Sequence, residues 1–126
     1  MIISTCGPFP TVGRYLAIAA RAAQQCDDDE LRAVALGCRA FHATYSGTPQ
    51  VGLEYASEAV ATAAQGIHPL TSGWIAAVAS EMHATLGPGE EAACMRLLES
   101  SRKHAAEASG PFSQDVAGGG FEPPKA

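Results

Sequence analysis

Phe41-His42-Ala43-Thr44-Tyr45-Ser46-Gly47-Thr48-Pro49 is the stretch on which the reading of the fold turns. Gly47 can end one helix, Thr48 can cap the next, and Pro49 takes the first-turn position where its missing N–H costs nothing. So short a break makes the flanking helices double back as an antiparallel pair. Before it, Leu31, Val34, Ala35, Cys38, Phe41, His42 and Tyr45 fall on one side of a helix read over 29–45. After it a helix continues to about Gln65, where Gly66-Ile67 fits a left-handed stop followed by an apolar residue.

The same logic extends outward. Val12, Tyr15, Leu16, Ala19, Ala20 and Ala23 make the buried stripe of a helix over 11–25, and the acidic run Asp27-Asp28-Asp29-Glu30 suits the start of the next. Trp74, Ile75, Val78, Met82 and Leu86 mark a helix over 71–86, and Glu90-Glu91 opens a fifth that reads to 108. Arg102-Lys103-His104 is expected to offset the negative end of that helix's dipole. Gly7-Pro8-Phe9-Pro10 is expected to keep 1–10 as an extended arm, and Gly118-Gly119-Gly120 and Pro123-Pro124 mark 109–126 as a flexible tail with little to bury.

Composition agrees. Among 126 residues stand 25 Ala against 8 Leu, 6 Val and 5 Ile, a mixture that favours helix and argues against a β sandwich. The expected fold is all-α, five antiparallel helices in one domain over 11–108. Thirteen acidic against eight basic side chains give a net charge of −5 and no dense Lys/Arg patch, which sets direct nucleic-acid binding aside. No apolar run approaches the ~20 residues of a membrane span, and the start lacks the basic region of a signal peptide. The expectation is a soluble, cytoplasmic chain whose four Cys are reduced thiols.

An internal repeat is visible. Phe41-His42-Ala43-Thr44 recurs as Met82-His83-Ala84-Thr85, and a one-residue gap then aligns Gly47 with Gly87. Helix-turn-helix units at this period suggest a helical solenoid. The residues resemble the tetratricopeptide family, particularly the degenerate repeats in the C-terminal halves of actinobacterial helix-turn-helix regulators. Ala33, Leu36-Gly37 and Ala40 sit where that family's first helix places Trp, Leu-Gly and Tyr, and Gly52, Tyr55 and Ala59 match its second helix. Trp74 falls on the family Trp of the next unit, whereas Ala77, Val78 and Glu81 depart from Leu, Gly and Tyr, and Ala92, Met95 and Glu99 match in part. The likeness implies a detached regulatory half, since no DNA-binding segment is read before Thr11.

In the tetratricopeptide register the first helix of each unit lines a concave face. That would expose Val34, Cys38, Phe41 and His42 beside Ile75, Ala79, Met82 and His83 as an apolar groove with two imidazoles. Such a groove suits an apolar or amphipathic peptide of a protein partner, or a small hydrophobic ligand. The competing reading places the same residues in the core. None of these positions is Lys or Arg, so the family's basic clamp for carboxylate-terminal peptides is missing.

No enzymatic activity and no cofactor is expected: phosphate loop, dinucleotide fingerprint and nucleophile elbow are all missing from the sequence. Cys38 and His42, four apart, joined by His83 and Cys94, are the foil set for a metal or thiol site, but no paired ligand motif supports it. Two repeat units and one preceding helix fall short of the three such arrays usually need, so the first or the fifth helix is expected to pack on a symmetry mate as a homodimer, or on another part of a longer regulator. An all-α protein that only self-assembles, with no groove ligand, is the alternative function.

Overall fold

The computed structural model describes residues 8–109, with side chains from Thr11 onward. Cys6 of the expected arm and residues 110–126 of the expected tail lie outside them. The described residues form five α-helices: α1 (Pro8–Gln25), α2 (Asp29–Tyr45), α3 (Pro49–Ala63), α4 (Pro69–Ala84) and α5 (Glu91–Ala108), with one 3₁₀ turn at Pro88–Glu90 before α5. The chain is all-α over this span.

Local chemistry sets the breaks. Asp28 caps α2, its Oδ1 accepting from the Leu31 N–H at 3.0 Å, with Asp29 and Glu30 in the first turn. Gly66 stands at φ +97°, a left-handed conformation that a Cβ would oppose, and Pro69 then opens α4. Four expectations need correction. First, α1 starts at Pro8, inside the expected arm, because the first four helical N–H groups have no intrahelical partner and prolines there lose nothing. Second, the Thr48 hydroxyl does not cap α3; it donates back to the Ala43 carbonyl at 2.9 Å and closes the end of α2. Third, α4 starts at Pro69 and ends at Ala84, with His68 as its N-cap: Nδ1 accepts from the Leu70 N–H at 3.1 Å. Fourth, α5 has no basic residue in its last turn; Arg102 pairs with Glu99 at 2.6 Å instead.

Sequence neighbours pack on one another, and α4 additionally packs against α2, so that α4 is covered by α2, α3 and α5. Two adjoining clusters make the core: Ala40, Ala56, Val78, Ala79 and Met82, then Ala33, Leu36, Ala59 and Ile75. The alanines explain the closeness of the helices. At Gly52 a Cβ would overlap the Thr44 hydroxyl and stand 2.9 Å from the Ala40 carbonyl oxygen, so α3 rests on the bare backbone of α2.

This close approach also rotates two helices from their expected faces. On α1 the residue fully buried is Ala23, with Gly13, Leu16, Ala17 and Ala20 half-buried, while Val12, Tyr15 and Ala19 of the expected stripe are exposed. On α2 the small side of the helix is buried, Ala33, Leu36, Gly37, Ala40 and Thr44 among it, and Leu31 and Tyr45 are left outside. The gain in dispersion contact from bringing backbones together outweighs the burial of a few larger side chains.

Candidate functional site

The rotation of α2 leaves Leu31, Val34, Cys38, Phe41 and Tyr45 along one line at alternating spacings of three and four, a continuous helical face of roughly 21 Å at 1.5 Å per residue. Across from it α4 presents Leu70, Thr71 and Trp74. Val34, Cys38, Leu70, Thr71 and Trp74 line an open hollow of ≈ 300 Å³. The Phe41 ring continues it, 6.4 Å from Trp74 and 6.1 Å from Tyr45, the latter pair stacked within 16°. Leu70 is 60% exposed, Tyr45 56%, Leu31 47% and Trp74 39%, so this is surface and not core.

Trp74 lies where it does because Gly37 has no side chain: a Cβ there would stand 2.7 Å from Cζ3 and 2.9 Å from Cη2 of the indole. At the far end the Tyr45 hydroxyl donates to the Glu81 carboxylate, and that hydrogen bond to an anion, with burial and charge adding to it, raises the phenol above its ordinary range. At the near end Glu30 accepts from the Thr71 hydroxyl and from the His68 N–H at 3.3 Å. Burial pushes the Cys38 thiol up, favouring the uncharged thiol, a soft apolar contact on this face.

Of the expected groove residues, Val34, Cys38 and Phe41 stand on this face. Ile75 and Met82 do not: at 1% and 0% exposure they are the largest fully buried side chains, and Ala79 is 2% exposed. Ile75 packs among Ala33, Leu36 and Ala59, and Met82 packs among Ala40 and Ala56, its sulfur accepting the Thr44 hydroxyl at 2.8 Å. The two imidazoles do not share the groove. His42 lies against α1, where a Cβ on Gly13 would come 2.8 Å from its Cε1, and it lines a separate hollow of ≈ 230 Å³ with Arg39, Val51 and Tyr55. His83 Nδ1 stands 2.7 Å from a carboxylate oxygen of Glu90 in the 3₁₀ turn.

Leu70 was missed as a site residue, as were Leu31, Tyr45 and Trp74. Leu31 and Tyr45 extend the 34–38–41 line at the same spacing, which was the signal available for them. Nothing local marks Leu70. The foil set is likewise dispersed: Cys94 donates to the Ser80 carbonyl at 3.3 Å, facing α4 from α5. Among the described residues no three His, Cys, Asp or Glu are grouped to hold a metal ion, and no helix is long and apolar enough to cross a membrane. Compared with protein-family models, with curated proteins and with solved structures, the chain gave no match.

Proposed function

We propose that this chain is a non-enzymatic interaction module of tetratricopeptide type that receives a peptide segment of a protein partner, or a small apolar ligand, on the α2/α4 face. The observation that carries the proposal is the unbroken apolar line Leu31–Val34–Cys38–Phe41–Tyr45 with Leu70 and Trp74 beside it. Single exposed hydrophobic side chains are ordinary, but a contiguous aromatic and aliphatic strip with a hollow in it is the kind of surface that takes a partner.

The helical arrangement supports the repeat reading. Contacts between α2 and α3 run in opposite order along the two helices: Thr44 beside Gly52, Arg39 with Tyr55, Arg32 with Glu58. Those between α4 and α5 do the same, Ser80 with Cys94 and Gly73 with Ser101. Contacts between α2 and α4 run in the same order, Glu30 with Thr71, Gly37 beside Trp74, Thr44 with Met82. Pairs that double back, with their leading helices side by side, are what stacked helical hairpins require. On this reading, and on the resemblance, the module is the regulatory half of a bacterial transcriptional regulator in the cytoplasm.

Trp74 is the single Trp of the chain and lies in the strip, so its fluorescence reports occupancy directly. Peptides selected from a display library against the folded protein are expected to change Trp74 emission and to lose binding to Leu70→Ser while far-UV circular dichroism stays the same. Selected peptides that leave the emission and the Leu70→Ser affinity untouched refute the site.

A second reading rests on a separate observation. Val12, Tyr15 and Ile18 of α1 are 40%, 67% and 58% exposed, and Met95 and Leu98 of α5 are 59% and 48% exposed. We infer a homodimer built on one of these outer faces. Sedimentation at micromolar concentration checks it: a clean monomer defeats it, and a dimer dispersed by Tyr15→Glu or by Met95→Glu locates it.

A further inference from the structure

The charges around the α2/α4 face are sorted by sign. α2 carries two arginines, and both turn away toward α3: Arg32 Nη2 stands 3.5 Å from Glu58, and Arg39 donates to the Tyr55 hydroxyl at 2.8 Å with its guanidinium carbon 4.3 Å from that ring's centre. α4 has neither Lys nor Arg anywhere in Pro69–Ala84. Among the described residues of α2 and α4, the acidic side chains beside the strip are Glu30, at the end marked by Leu70 and Thr71, and Glu81, at the end marked by Tyr45. Both accept hydrogen bonds at the two ends of the strip, and the chain as a whole carries a formal −5. An occupant that brought its own carboxylates to either end would meet like charge, with no Lys or Arg of α2 or α4 turned toward it. An occupant with Lys or Arg flanking its apolar side meets complementary charge at both ends.

We propose that the occupant of the α2/α4 face is a cationic amphipathic helical segment, with aliphatic or aromatic residues on one side and Lys or Arg flanking them. The proposal rests on the reading of that face as the binding site and adds the sign of the partner. The length fits: roughly 21 Å of strip matches about four turns of helix, three to four apolar anchors at i, i+3, i+7 spacing. The hollow between Val34, Cys38 and Trp74 takes the central anchor.

Three synthetic peptides of 14 residues test this with the full chain. One carries Leu at helical spacing with Lys elsewhere, the second replaces every Lys by Glu, and the third keeps the Lys but replaces Leu by Ser. The expected result at low ionic strength is that the Leu/Lys peptide changes Trp74 emission and binds about tenfold more tightly than the Leu/Glu twin, and that the Lys/Ser peptide leaves Trp74 unchanged. Half-molar salt brings the two Leu peptides together, because exposed ion pairs are screened. Glu81→Gln weakens the Leu/Lys peptide severalfold and strengthens the Leu/Glu twin. If the twins bind equally well at low salt, the charge assignment is overturned and the face survives as a binding site. If neither Leu peptide changes Trp74 emission, the face itself falls, and the proposal with it. Binding of the Lys/Ser peptide with the same Trp74 response overturns the proposal as general attraction to an acidic chain. Self-association that buries Trp74 and excludes the Leu/Lys peptide overturns it in favour of a second copy.

Discussion

Replacing Gly52 by Ala sets local propensity against tertiary packing, and the two predict opposite signs. Gly52 lies in the first turn of α3, its N–H bonded to the Thr48 carbonyl at 3.0 Å. By helix propensity alone, Ala at this place would stabilise the protein by up to about 1 kcal/mol. The packing says otherwise. The new methyl would overlap the Thr44 hydroxyl, would sit 2.9 Å from the Ala40 carbonyl oxygen and would lie 3.2 Å from the Thr44 Cβ. The hydroxyl has to swing aside, giving up its bond to the Met82 sulfur, about 0.5–1.5 kcal/mol. The Ala40 oxygen belongs to a helix backbone and cannot swing, so α3 has to lift off α2, an overpacking cost of about 1–3 kcal/mol. The net expectation is a loss of roughly 1–3 kcal/mol, at about 4–8 °C of Tm per kcal/mol for a domain of this size. Thermal unfolding followed by circular dichroism is the assay. Thr44→Ala on top of Gly52→Ala should recover part of the loss, since it removes the overlapping oxygen but not the Ala40 carbonyl. A Tm unchanged or raised in Gly52→Ala would refute the account of why α2 and α3 lie so close.

Further expectations follow from the same geometry. Gly37→Ala pushes on the edge of a half-exposed indole that can tilt outward and meets the Cδ1 of buried Ile75 at 3.2 Å, so stability should fall by about 1 kcal/mol, the low end of overpacking, while Trp74 emission shifts to the red; a larger loss of stability with unchanged emission would contradict the placement of the ring. Leu70→Ser, at a 60% exposed site, should stay within about 0.5 kcal/mol of the parent by urea unfolding, whereas Met82→Ala at 0% exposure should lose about 2–5 kcal/mol; similar costs at the two would erase the distinction between face and core. Cys38 titrates above its ordinary range because burial disfavours the thiolate. The folded chain therefore holds a proton that the unfolded chain releases, and its contribution is whole below the ordinary thiol pKa and falls as pH climbs past it toward the folded value. Between pH 8 and pH 10 the parent should lose more Tm than Cys38→Ala, and equal losses would remove burial as the cause.

The groove shows where sequence reasoning stopped. Val34, Cys38 and Phe41 were legible because they repeat on one face of α2. Ile75 and Met82 were read as their counterparts from the repeat alignment, and they went to the core because α4 turns them onto the small side chains of α2 and α3, Ile75 among Ala33, Leu36 and Ala59 and Met82 among Ala40 and Ala56. His42 and His83 align in the repeat, yet one meets Gly13 of α1 and the other Glu90 of the 3₁₀ turn, since different elements flank each copy.

By itself the order of residues decided that the described span is helical and where the breaks between its helices fall, to within two or three residues. Asp28, Pro49, Gly66 and Pro69 act through their own backbone conformations and nearest hydrogen bonds, which need no distant partner. Only the tertiary structure decided which side of each helix is buried. In α2 and α4 alanines and larger apolar residues occupy several faces at once, so periodicity offers more than one stripe. The choice fell to the faces where Gly37 and Gly52 let a neighbouring ring or backbone come within contact distance, and the larger side chains were left to form the outer strip.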